Sequence, residues 1–187
     1  YLGNQNNPPD SMLRNGDAIE VKKLNNHTSD IALNSSYPKS KLHSDDSRIV
    51  DACRTCEDWK ERDIIYVVGV VEDQRIKSIW MVYGDCYAAD RQTYERIDSY
   101  LQKVTSVFPE LPFGRKTEPE RVRDIDPKGI TKVWLQGRWF IQNPMEVFGA
   151  HLDYPQKDNR LTVIMRTAKY QSFDPSDLAR MENAPNV

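Results

Sequence analysis

The chain has 187 residues, 39% apolar and 29% charged, with 26 basic against 28 acidic side chains and a formal net charge of −2. That length suits one domain with a sizeable core. The longest apolar run, residues 64–71, is far shorter than the about 20 residues a membrane helix needs, so no transmembrane helix is expected. Nor is a signal peptide. Cys53, Cys56 and Cys86 are too few and too odd a number for a disulfide framework, which points to a reducing, cytoplasmic setting. The near-neutral total lacks the strongly basic footprint of many DNA-binding domains. Residues 115–138 nevertheless hold seven basic against four acidic side chains, a local basic stripe that composition alone equally describes as a solvated mixed-charge loop.

In chain order, residues 1–17 are rich in Asn, Pro and Gly and suit turns, with a short polar strand expected over 11–14 and a hairpin turn at Asn15-Gly16. A second strand follows. Ile19 and Val21 alternate with Glu20 and Lys22, which puts the aliphatic side chains on one face and the charged ones on the other. Residues 25–44 read as mostly loop, with a short strand at 31–33. Ser44, Asp45 or Asp46 is placed to cap a helix carrying Ile49, Val50, Cys53, Cys56 and Trp59 and ending near Arg62. The run 63–71 is a β-branched strand of the kind buried on both faces, and residues 78–88 make a neighbouring strand after the polar turn 72–77. Asp90 or Thr93 starts a helix with a core stripe of Tyr94, Ile97, Leu101, Val104 and Phe108, stopped by Pro109 and Pro112. A mixed-charge loop leads to a long strand over 129–141, a short helix opened by Asn143-Pro144, a last strand at 161–168, and a tail from Ser172 expected to fray. Strands outnumber interspersed helices, so the expected fold is α/β, a mixed central β-sheet flanked by helices.

The chemistry concentrates in Pro9-Asp10 and Glu20-Val21-Lys22. Two carboxylates, one from each strand of a hairpin, with a lysine two residues beyond the second, can hold a divalent cation beside a scissile phosphate. Mg²⁺ takes one or two carboxylates plus waters and phosphate oxygens. Asp10 and Glu20 would be the ligands, with the Val21 carbonyl a third. Lys22 would orient or help deprotonate the attacking water and offset charge on the phosphorane. Geometry imposes a condition. A strict two-residue turn at Asn15-Gly16 sets Asp10 on the face of Val21, away from Glu20. The carboxylates converge only with a one-residue bulge, or a three-residue loop through Asp17 that pairs Asp10 with Lys22. An irregular turn is therefore expected. Glu-x-Lys alone describes many exposed edge strands; the upstream Pro-Asp across a hairpin signal is what separates this case from them.

The pattern Pro9-Asp10, nine residues, Glu20-x-Lys22 resembles the PD-(D/E)xK nuclease superfamily. The longer run GNQNNPPD, GDAIEVKK and ALNSSYPKSKL, continuing through ACRTCE and KERDIIYVVG, resembles type II restriction endonucleases of the NgoPII kind. The resemblance is densest over residues 1–70 and extends over most of the chain. It implies a restriction-endonuclease-like fold, Asp10 and Glu20 as Mg²⁺ ligands, Lys22 as the catalytic lysine, and a homodimer cutting both strands of double-stranded DNA at a short palindrome, with GGCC the suggested site. It also implies a helical segment upstream of a single endonuclease domain spanning 1–187, carrying a further acidic residue near the metal.

For reading DNA, the loop bearing Asn34, Ser35, Ser36, Tyr37, Lys39 and Lys41 has the composition for base edges and phosphates, or for an ordinary surface loop. Lys132 and Arg138 on the late strand are candidate guanine or backbone contacts, or exposed strand charges. Cys53-x-x-Cys56 has no second pair to complete a zinc site, and both cysteines match the apolar stripe of Ile49. His27, His43 and His151 lack ligand spacing. No phosphate-cradling glycine loop is present, so no nucleotide cofactor is expected. The rival readings are a repair or recombination nuclease of the same fold and a DNA-binding module without catalysis.

Overall fold

A computed structural model describes residues 1–4, 7–33, 36–106, 115–118, 121–123, 133–134, 139–152 and 160–169. Strand β1 (Leu2–Asn4) runs antiparallel to β2 (Asn7–Met12), which pairs antiparallel with β3 (Ala18–Leu24). The expected strand at 11–14 is therefore longer upstream and ends earlier, because residues 14–16 form the loop. After β4 (Ile31–Leu33) and β5 (Lys41–His43) comes a single helical turn, α1 (Asp51–Arg54), then the long hairpin of β6 (Glu61–Glu72) and β7 (Arg75–Tyr83). Asp73 and Gln74 both take left-handed backbone, φ 49° and 62°, the conformation a tight two-residue hairpin requires. The short α2 (Gly84–Tyr87) leads to α3 (Arg91–Ser106), whose first turn is capped by Asp90 Oδ1 accepting the Thr93 N–H at 2.7 Å.

Beyond α3, β8 (Arg115–Glu118), β9 (Arg121–Arg123) and β10 (Val133–Trp134) form a small antiparallel sheet, and β11 (Trp139–Ile141) pairs with β4. Then come α4 (Pro144–Phe148), capped as expected by Asn143 Oδ1 accepting from Met145 N at 3.0 Å, and β12 (Arg160–Ile164). The central sheet has seven strands in the order β1-β2-β3-β6-β7-β12, with β5 also paired to β6. It is mixed: β3 with β6 and β7 with β12 are parallel, while β6 with β7 is antiparallel. The fold is α/β, as expected.

Register explains the core. Ala18, Glu20, Lys22 and Leu24 lie beside Ile64, Tyr66, Val68 and Val70, which lie beside Val82, Trp80 and Ser78, all on one face. Onto that face pack Ile31, Leu33, Leu42, Ile49, Cys53, Trp59 and Ile141. The other face carries Val21, Leu161 and Val163, 53%, 64% and 48% exposed, so β6 alternates between buried and half-buried positions and is not buried equally on both sides.

Three further expectations are corrected. The helix projected from residue 44 to 62 is confined to Asp51–Arg54. The Arg54 guanidinium donates to the carbonyls of Ser44 and Asp46, the Thr55 hydroxyl donates to Asp51 O, and the Trp59 indole N–H donates to Cys53 O at 3.1 Å. These bonds fold Ile49, Cys53 and Trp59 inward through turns, while Cys56, expected in the same stripe, is exposed. The projected core stripe of α3 is not buried along its length, for Ile97 and Leu101 are 40% and 41% exposed. Helix α3 is held instead through Tyr94, stacked on Tyr37 and edge-on to Trp139. Finally, the long strand projected over 129–141 is represented by β10 and β11, which belong to different sheets; β8 and β9 lie where a loop was expected. Val104 is in α3, and Phe108, Pro109, Pro112 and the tail from Ser172 lie outside the described residues.

Candidate active site

The site is built on the hairpin of β2 and β3. The loop comprises residues 14–16, closed by Leu13 N–H donating to Asp17 O at 3.0 Å, and Ser11 pairs with Ile19 and Met12 with Ala18. The turn is irregular, as required, but Asp17 belongs to the ladder and not to the loop. One step further along this register brings Asp10 level with Glu20, two residues from the expected partner Lys22. A two-residue shift preserves the face, so Asp10 and Glu20 still lie on one face of the sheet. Asp10 Oδ2 accepts the Val21 N–H at 2.6 Å, which draws it over the backbone of β3 between Glu20 and Lys22.

Glu20 is only 7% exposed, with the wholly buried Tyr66 as its neighbour on β6. Its Oε1 accepts from Lys22 Nζ at 2.6 Å. Its Oε2 is buried without a hydrogen-bond partner. Burial pushes the Glu20 carboxyl above its ordinary pKa; the Lys22 ammonium pulls the other way and the Asp10 carboxylate adds to the rise. A buried carboxylate oxygen with no donor is costly, and a second carboxylate nearby aggravates it. A hard cation would relieve both. The donor chemistry suits one such as Mg²⁺: Asp10, Glu20 and the Val21 carbonyl supply oxygens only, and the rest of the shell is left to water and phosphate. Among the described residues no three His, Cys, Asp or Glu side chains group into a closed metal cage.

The proposed reading loop is different in character. Asn34 and Ser35 lie outside the described residues, as do Lys132 and Arg138. Ser36, Tyr37 and Lys39 are buried, a correction to the picture of an exposed polar loop. Ser36 Oγ donates to Tyr37 O at 2.9 Å, and the Tyr37 ring is sandwiched among Tyr94, Trp139 and the Lys39 ammonium. Lys39 Nζ is ion-paired with Asp46. Burial lowers the Lys39 pKa against the pull of Asp46; burial is also the largest single influence on Asp46 and would raise it, but the Lys39 charge, the hydrogen bonds from Lys39 and the Arg48 N–H, and the Arg48 charge together outweigh it, so both shift down. Asp46, expected as a helix cap, is the buried counter-ion here, with Oδ1 taking the Arg48 N–H at 2.8 Å. Lys41 is on β5, paired with Glu61. The burial of residues 36–39 could not be read from composition, because a lysine seven residues from an aspartate is common in any polar segment. Cys53 is a buried thiol whose pKa burial raises to about 11, which agrees with a packing role and not a reactive one.

The family model described as NgoPII restriction endonuclease matches residues 1–187. The Type II restriction enzyme NgoPII of Neisseria gonorrhoeae is 44% identical over 179 residues, covering 95% of this chain. The chain spans 64% of that relative's length. No solved structure matches it. With a family model covering every residue and this identity across nearly the whole chain, the chain belongs to the NgoPII restriction endonuclease family.

Proposed function

We propose that this chain is the catalytic region of a Mg²⁺-dependent, site-specific double-stranded DNA endonuclease, a cytoplasmic type II restriction enzyme acting as a homodimer. GGCC is the site suggested by the family resemblance. The observation that carries the reading is the buried, unpartnered Oε2 of Glu20 beside Asp10, with Lys22 held at 2.6 Å on the other oxygen. Asp10, Glu20 and the Val21 carbonyl hold the cation. When bound, Mg²⁺ supplies Lewis acidity that lowers the pKa of water and offsets charge on the leaving oxygen. Lys22, held by Glu20 Oε1, orients the attacking water and offsets charge on the phosphorane as the P–O bond breaks. Asn34, Ser35, Lys132 and Arg138 contact the duplex. Ser36, Tyr37 and Lys39 act from inside by setting the loop that precedes β5.

The test is digestion of a sequenced plasmid by the full-length protein with Mg²⁺, followed by mapping of the ends. Cuts at one short palindrome are expected, and Lys22→Ala should lower the rate by roughly 10²–10⁴-fold, the range for a lost acid-base group. Cleavage confined to branched or mismatched DNA would replace this reading with a repair nuclease, and an unchanged rate for Lys22→Ala would remove the assigned mechanism.

A further inference from the structure

We propose that Glu57 is a positioning residue for the metal site, holding the β2–β3 hairpin in the observed register, which sets Asp10 on the face of Glu20. The inference rests on the reading of Asp10 and Glu20 as cation ligands. The sequence of this hairpin offers two turns. Asn-Gly is the dipeptide that favours a two-residue turn with both residues at positive φ. In that turn Arg14 would face Asp17, Ser11 would face Glu20, and Asp10 would point with Val21 to the wrong side of the sheet. The structure adopts the other turn. Asn15 has φ 52° but Gly16 stays outside the left-handed region, and the loop closes one residue earlier, with Gly16 N–H donating to Leu13 O at 3.1 Å.

The selecting contacts come from outside the hairpin. Both carboxylate oxygens of Glu57 accept the Asn15 N–H, each at 3.0 Å, across 42 residues of chain. Glu57 is itself held by Arg62 Nη2 at 2.9 Å, and the two side chains are only 19% and 20% exposed. Arg62 stands on β6 two residues before Ile64, the register partner of Ala18. The turn is thus tied to the strand along which β3 lies. On its other side, Tyr83 at the end of β7 donates its hydroxyl to Asp17 Oδ2 at 2.9 Å, which keeps Asp17 in the ladder. Hydrogen bonds to a charged acceptor are roughly twice as strong as neutral ones, and this one acts on the turn itself, fixing Asn15 where the adopted three-residue loop places it. An ordinary stabilising ion pair would not depend on the turn.

That difference supplies the test. Deleting Arg14 leaves Leu13, Asn15, Gly16 and Asp17 consecutive, so the favoured two-residue turn then enforces the productive register by itself. Mn²⁺ binding is measured calorimetrically on the full chain without DNA. Glu57→Ala should weaken it by roughly tenfold, the lower end for loss of a ligand's supporting contact. Glu57→Ala combined with the Arg14 deletion should return to the affinity of the deletion alone, close to the unaltered protein. If Glu57→Ala does not fold, Glu57→Gln, which keeps one acceptor for Asn15 but loses the charge on Arg62, should give a smaller loss that the deletion likewise repairs. Unchanged Mn²⁺ affinity in the Glu57 variants, or a loss the deletion fails to repair, overturns the inference. Mn²⁺ binding that survives Glu20→Gln overturns instead the reading of the site on which it rests.

Discussion

Glu20 is a carboxylate that folding places at a disadvantage. Burial raises its pKa above the unfolded value, so the folded chain binds its proton more tightly than the unfolded chain does. Its effect on stability is therefore favourable below the unfolded pKa and lost as pH rises through the folded one, leaving a net cost at neutral pH. Glu20→Gln removes the charge but keeps an acceptor for Lys22. Without metal, this variant should melt at a higher temperature than the unaltered chain at pH 7, and the difference should shrink as pH falls through the ordinary carboxylate range and Glu20 takes up its proton. A melting series across that range checks it; an advantage that grows toward acid would contradict the assigned cause. Functional sites often hold groups that cost stability. That Asp10, Glu20 and Lys22 share one face was legible from the Pro-Asp and Glu-x-Lys pair on either side of a hairpin signal. Lys39 and Tyr37 gave no such signal, for a polar composition does not distinguish a side chain that faces solvent from one that turns inward to a distant partner.

Elements were legible where turn and cap chemistry is local. Asn143-Pro144 opens α4, Asp90 caps α3, and Asn15 takes the positive φ its side chain tolerates. They were misread where tertiary bonds decide. The segment between β4 and β6 shows this, since the helical spacing of Ile49, Cys53 and Trp59 is satisfied by turns braced by Arg54. The preceding stretch is pinned in the same way. The Tyr66 hydroxyl accepts Lys39 N–H at 2.6 Å and donates to Lys39 O at 3.3 Å. Gly84 offers no side chain where the carbonyls of Lys39 and Ser40 pass; a Cβ there would collide with backbone. The buried Lys39–Asp46 pair completes the clamp, tying the start of β5 to the turn before α1. Breaking a buried pair from one side leaves an uncompensated charge, so Lys39→Met should cost about 3 kcal/mol. Lys39→Met with Asp46→Leu should recover most of it, because apolar side chains of similar volume can replace such pairs. Urea unfolding of both variants measures the difference, and a double variant as unstable as the single would show that the charges themselves hold this segment.

At the scale of the whole molecule, a net charge of −2 gives a polyanion no general attraction, so affinity for DNA has to come from where the positive charges lie. On β3, Lys22 shares the face of Glu20, whereas Lys23 is exposed on the opposite face, beside Val21. Its register partner there is Gly69. The seven basic residues of 115–138 include Lys132 and Arg138, both proposed to contact the duplex. Each phosphate contact releases condensed counterions and adds about −0.9 to the slope of log K against log salt. The double substitution Lys132→Ala with Arg138→Ala should therefore flatten that slope by about 2 if both residues touch phosphates. Lys23→Ala, which changes the total charge but sits on the other side of the sheet, should leave the slope unchanged. Equilibrium binding from 50 to 200 mM salt, in Ca²⁺ so that cutting does not intervene, makes the comparison. If all three substitutions flattened the slope in proportion to charge removed, attraction would be set by total charge and not by a built DNA face. If only the Lys132 and Arg138 pair did so, the late basic stripe would be part of a built DNA-contacting face.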